Sequence, residues 1–173
     1  MYTPLSDHDI AEEARGPAFA KWVSSYFDHG DLNSRDFSQL KQREAGTSKK
    51  PTTDTISLEE LSTITDLVPG VKCDTFIIIS PTFSTVLAAQ TTKALFDPQI
   101  RKDWGGNPVS FVYGEASTWN IQYAAWNLEK HVEASAINFK AIPGANHFVC
   151  YSLCIDFYSS RSEQITFIIV NVG

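Results

Sequence analysis

The stretch that decides the fold is VSFVYGEASTWNIQYAAWNLEKHVEASAINFKAIPGANHFV, Val109 to Val149. It opens on VSFVYG, Val109 to Gly114, a compact apolar run of β-formers that suits a strand in a sheet covered on both faces. TWNIQYAAWNLEKHVEA follows, with Ile121, Ala125, Leu128 and Val132 at steps of four, three and four, the spacing of one helix face. Ser117 or Thr118 is available as its N-cap. INFKAI, Ile137 to Ile142, returns to strand grammar before Pro143-Gly144. Strand, helix and strand of these lengths predict a parallel βαβ unit, whose crossover puts both strand C-termini on one rim. Open α/β sheets carry their ligand sites on that rim. Gly114-Glu115-Ala116-Ser117 and Pro143-Gly144-Ala145-Asn146-His147 are therefore predicted to be neighbours in space.

Upstream of this unit the grammar is helical. Phe19, Trp22, Val23, Tyr26 and Phe27 recur at spacings of three and four and predict a helix opened by Pro17. Residues 30–56 turn polar and charged, with Gly46, paired lysines and Pro51, so at least their second half is predicted to be a solvated loop. Ser57 and Glu60 have capping-box spacing at the start of a short helix that Pro69-Gly70 would stop. CDTFIIISP is strand-like by propensity in helical surroundings and stays undecided. FSTVLAAQTTKALF predicts a helix ending before Asp97-Pro98, with Phe83, Val86, Leu87 and Ala94 toward one side, and Gly105-Gly106-Asn107-Pro108 closes the helical half.

Composition narrows the function classes. The 173 residues, 43 % of them hydrophobic, suffice for one domain with a real core. No run approaches the roughly 18 apolar residues of a membrane span, and the acidic N-terminus lacks the regions of a signal peptide, so no membrane partner and a cytoplasmic location are expected. Fourteen Lys and Arg against twenty Asp and Glu give a net charge of −6 without a basic cluster, which disfavours nucleic acid. Cys73, Cys150 and Cys154 are an odd set with no C-x-x-C pair and no histidine at zinc-ligand spacing. Neither a disulfide framework, a metal site nor a cofactor is indicated.

The two loop tips resemble the C-terminal part of the α/β-hydrolase superfamily. VSFVYGEAS looks like the penultimate core strand with the loop that bears the triad acid, and INFKAIPGANHFV like the last core strand with the histidine loop. The specific likeness is confined to residues 109–149. It implies an α/β fold in parts: a helical lid-like region over 1–107, a parallel βαβ part of a hydrolase core over 108–149, and an atypical tail over 150–173. It also implies that His147 is the general base, a neutral imidazole with one nitrogen toward the nucleophile and the other held by a carboxylate. Without that context a loop histidine that packs or faces water is the plainer reading.

The acid and the nucleophile depart from the family pattern. The acid position of G-x-x-[DE] is Ser117 here, and the nearest carboxylate is Glu115, one residue after Gly114. Glu115 is either the acid on a differently turned loop or a rim charge beside a helix capped by Ser117. No G-x-S-x-G elbow occurs, and Ser38-Gln39-Leu40-Lys41 fits S-x-x-K without its partner motifs. The composition changes at Val149-Cys150, where the frame is expected to run past an exon end, a divergent C-terminus being the alternative. The implied function is hydrolysis of an ester, epoxide or related bond in a small hydrophobic substrate, with this chain inactive alone. The alternative is a non-enzymatic truncated product or hydrophobic interaction module. ITFIIVNV, uncharged and free of proline, adds an expectation of self-association through exposed strand edges. Trp22, Tyr26, Trp104 and Trp119 are expected in the core rather than in a pocket.

Overall fold

Two runs of β-formers, each closed by a Gly or Pro turn, form the sheet at the bounds the sequence predicts. The computed structural model describes residues 1–66, 69, 77, 80–103, 109–131 and 137–149. Strand β1 is Val109–Gly114 and strand β2 is Ile137–Ile142. They pair in parallel, with Val109 opposite Ile137 and Gly114 opposite Ile142. The parallel register requires a crossover, and the helix of residues Trp119–His131 lies between the strands in sequence. The described architecture is thus a mixture of five helices and a two-stranded parallel sheet. In chain order the helices are α1 (Glu12–Val23), α2 (Leu58–Ile64), α3 (Pro81–Phe96), α4 (Pro98–Asp103) and α5 (Trp119–His131). No helix among the described residues is long and apolar enough to cross a membrane.

The strand period assigns one face of the sheet to the core. Phe111, Tyr113 and Ile137 are buried with Ile121, Ala125 and Leu128 of α5 and Leu95 of α3, and Val109, Phe139 and Ala141 pack against this cluster. These strand residues all have odd numbers, as a period of two demands. The opposite face carries Asn138 and Lys140, both exposed. Full coverage of both faces, expected from the apolar run of β1, is not reached among the described residues: Ser110, Val112 and Ile142 on the second face are half-buried, and the polar Asn138 and Lys140 of INFKAI are exposed.

Helix α5 has a second apolar stripe that the first one hides in a sequence reading. Trp119 and Trp126 pack with Trp22, Phe27 and Leu40, flanked by Phe37 and Tyr123. This cluster joins the N-terminal segment to α5 across residue 107, the expected boundary. Trp22 and Trp119 are accordingly core residues, and their indole N–H groups donate to the carbonyls of Gln42 at 2.8 Å and Tyr2 at 2.7 Å. Tyr26 is half-buried.

Several local expectations change. Helix α1 opens at Glu12 rather than at Pro17, with Glu12 and Glu13 placed favourably in the first turn and Pro17 inside. It ends at Val23, so Tyr26 and Phe27 lie beyond it. The Ser24 and Ser25 hydroxyls turn back onto the Lys21 carbonyl at 3.1 and 2.7 Å, competing with continuation of the helix. Ser57 caps α2 as predicted, accepting the Glu60 N–H at 3.1 Å, but α2 stops at Ile64, before Pro69. Neither Ser117 nor Thr118 caps α5: among the described residues the Ser117 hydroxyl has no partner, and the Thr118 hydroxyl donates to Asn120 Oδ1 at 2.6 Å. On α3, Phe83, Val86 and Leu87 are exposed, and Leu95 makes the core contact. Most of CDTFIIISP, the breaker cluster with Trp104, Val132, all three cysteines and the tail of 150–173 lie outside the described residues.

Candidate functional site

The parallel pairing of β1 and β2 continues into the loops that leave them. Beyond Gly114, the Glu115 N–H donates to the Ile142 carbonyl at 3.0 Å and the Ala116 N–H to the Ala145 carbonyl at 2.9 Å. A Cβ on Gly114 would stand 2.2 Å from the Ala145 carbonyl oxygen and 2.4 Å from that of Asn146, so the loops touch because this residue has no side chain. Gly144 makes the other turn with φ +64°, in the left-handed region. The two predicted tips are neighbours on one rim.

His147 is half-buried and packs edge-on against Phe148, with ring centroids 5.7 Å apart at 89°. Burial lowers its pKa, and no carboxylate opposes that shift, so the imidazole is neutral near pH 7. Among the described residues neither ring nitrogen has a protein hydrogen-bond partner. Glu115 is half-buried on the facing loop, and its carboxylate makes neither a hydrogen bond nor an ion pair there. The structure thus brings the two loops together through their backbones, without a bond between Glu115 and His147. Gln122, buried on α5, donates to the Gly114 and Glu115 carbonyls at 2.7 and 3.1 Å, which holds the acid loop against the helix.

The strongest fixation of the histidine loop comes from a residue with no role assigned on sequence. Asn146 is fully buried, and its Nδ2 donates to the Ser24 carbonyl at 2.6 Å and to Thr52 Oγ1 at 2.7 Å. Its Oδ1 accepts the Phe148 N–H at 2.9 Å, closing the turn around His147. Thr52 N–H donates to the same Ser24 carbonyl at 2.9 Å. Lys49 adds a bond to the Gly144 carbonyl at 2.9 Å while its ammonium lies 4.9 Å from the Tyr26 ring centre.

The segment that supplies these partners runs on to the other tip. Phe27 N–H donates to the Ala116 carbonyl at 3.0 Å, and His29 Nε2 lies 2.7 Å from the Ser117 carbonyl. Residues 24–52 therefore form a strap tied to both loops of the rim. Most of residues 30–56 are exposed, as their composition predicts, yet Leu40 and Thr52 are buried. The one available signal for Asn146 was its place in a turn beside the candidate base. His29 and Thr52 gave none, since their partners are distant in sequence.

A surface groove of about 580 Å³ is lined by Tyr2, Asp7, His8, Asp9, Gln42 and Arg43 among others, and contains neither Glu115 nor His147. Two of its charged groups are paired: Asp7 meets Arg43 at 3.2 Å, and Arg43 lies over the Tyr2 ring at 4.5 Å. Among the described residues no group of His, Cys, Asp and Glu has the arrangement of a metal site. No family model matches the chain, and neither a curated protein nor a solved structure does so.

Proposed function

We propose that this chain supplies the histidine rim of an α/β-hydrolase-type active site, acting on an ester, epoxide or related bond in a small hydrophobic substrate. His147 is the general base in this reading, and the helical region of residues 1–107 is lid-like. The observation that carries it is the neutral, half-buried imidazole of His147 on the C-terminal rim of a parallel strand pair, with the Glu115 loop beside it. A base must be unprotonated at working pH and within reach of the proton it takes; burial lowers the His147 pKa, which meets the first need, and nitrogens unclaimed among the described residues leave the second open to a substrate-bound state.

The base takes its proton from a nucleophile hydroxyl or a water, becomes an imidazolium, and returns the proton to the leaving group. Glu115 is the nearest candidate in the reading for the carboxylate that fixes the tautomer. Its present lack of a bond to His147 is compatible with that role, because catalytic hydrogen bonds often tighten only with substrate. The sequence contains no G-x-S-x-G, so the nucleophile is assigned to sequence outside this chain.

Two measurements test the reading. The chain alone is expected to hydrolyse p-nitrophenyl acetate no faster than its His147→Ala variant. Joined to the sequence encoded immediately upstream, which is expected to carry an in-frame G-x-S-x-G or Asp elbow, it is expected to turn the ester over, and His147→Ala to reduce kcat by a factor on the order of 10⁴ or more. An upstream sequence without an elbow, or a rate indifferent to His147, would leave the non-enzymatic alternative.

A further inference from the structure

Both ring nitrogens of His29 are committed to backbone groups. Nε2 lies 2.7 Å from the Ser117 carbonyl oxygen, which can only accept. Nδ1 lies 3.0 Å from the Lys41 backbone nitrogen, whose N–H can only donate. A carbonyl at one nitrogen and an N–H at the other admit a single form of the ring, neutral with its hydrogen on Nε2. The ring is held in that place by stacking on Phe27, with centroids 5.9 Å apart and planes 10° from parallel. Phe27 is itself tied to the Ala116 carbonyl, so the ring sits at the junction of strap and rim.

We propose that His29 is a proton-sensitive latch through which Lys41 is fastened to the loop that follows β1, its ring bridging the Lys41 N–H and the Ser117 carbonyl when neutral and letting Lys41 go when protonated. A second proton would occupy Nδ1 and point at the Lys41 N–H, so the charged ring and the Lys41 bond exclude each other. The Nε2–H bond to Ser117 survives protonation, and release therefore begins at Lys41. Burial holds the imidazole below its usual range, partly opposed by the Ser117 carbonyl and the Asp28 carboxylate and reinforced by the Lys41 ammonium, the charged groups that act on it. The other end of the strap behaves differently. Asn146 and Thr52 carry no titratable group, so acid frees Lys41 from the His29 ring and leaves the Asn146–Thr52 bond in place.

The latch is independent of the hydrolase reading and is tested on the whole chain without any assay of activity. Histidine ¹⁵N shifts at about pH 7.5 are expected to show His29 as the Nε2–H tautomer. Hydrogen exchange at the Lys41 amide, corrected for its intrinsic rate, is expected to lose about tenfold in protection between about pH 7.5 and pH 5.5, the loss produced when only a released ring of pKa about 6.5 takes up the proton. His29→Gln retains a donor toward Ser117 but cannot titrate, and is expected to abolish that pH dependence. An Nδ1–H or charged ring at pH 7.5, or Lys41 protection that is unchanged while His29 takes up its proton, overturns the proposal. The tautomer measurement decides on the unaltered chain even where the variant does not fold.

Discussion

Replacing Asn146 by alanine is expected to destabilise the protein by about 3 kcal/mol, from three hydrogen bonds at about 1 kcal/mol each. The partners left behind decide whether that figure should rise. The Ser24 carbonyl keeps the Thr52 N–H at 2.9 Å, and Phe148 is 39 % exposed, so water can reach the N–H that loses Oδ1. The buried Thr52 hydroxyl, however, loses the Asn146 donor with no replacement among the described residues, so about 3 kcal/mol is the lower bound. Asn146→Asp separates hydrogen bonding from shape. It is isosteric, but it sets an oxygen against the Ser24 carbonyl and buries a carboxylate with no cation bonded to it, a larger penalty than the alanine at neutral pH. Burial raises that carboxyl above its unfolded value, so the aspartate variant regains stability as pH falls through the raised pKa. Urea melts followed by circular dichroism measure all three chains, and about 3 kcal/mol at this chain length corresponds to a fall in Tm of roughly 6–12 °C. An alanine variant within about 1 kcal/mol of the parent, or an aspartate variant equally stable at pH 7, would show that Asn146 does not hold the loop.

Gly114→Ala is expected to destabilise by about 3 kcal/mol or more, because the new Cβ meets two backbone carbonyls that cannot rotate away; an unchanged urea midpoint refutes the close approach of the loops. His147 and His29 both have lowered pKa values, chiefly from burial. As pH falls below about 6.5 the unfolded chain binds those protons first, so the stability they contribute is complete above that pH and is lost toward the folded pKa. The urea midpoint is expected to decline from about pH 7 to pH 5.5, and His29→Gln with His147→Gln to flatten the decline; a flat profile in the parent chain refutes it.

What was legible in the sequence follows from the range of the interactions. VSFVYG and INFKAI specify their strands locally, through contiguous β-formers ended by Gly or Pro, and the crossover length then forces the parallel pairing. Ser57 was legible because a cap and its N–H are three residues apart. Pro17 misled because proline at a helix start is the commoner case, whereas the acidic Glu12-Glu13 turn and packing of Phe19 and Trp22 carry α1 past it. The second stripe of α5 was masked by the first: Trp119 and Trp126 take their partners from residues 22–40, which no local pattern announces. The meeting of the two loop tips was legible through the βαβ spacing, but the side chains that hold them were not. The partners of Asn146 lie at Ser24 and Thr52, and those of His29 at Lys41 and Ser117.

One turn sets a fully bonded side chain beside an unbonded one. Asn146 points inward, fully buried, and spends its donors and acceptor on the strap and on Phe148. His147, the next residue, is half-buried with both nitrogens unclaimed among the described residues, and Phe148 beside it is 39 % exposed. The strap occupies the Asn146 side of this turn through Ser24 and Thr52. A strap bonded to both rim loops also cannot swing as a separate lid without breaking the Asn146 and Phe27 bonds together. Residues 24–52 thus act as a frame that keeps the two tips in register.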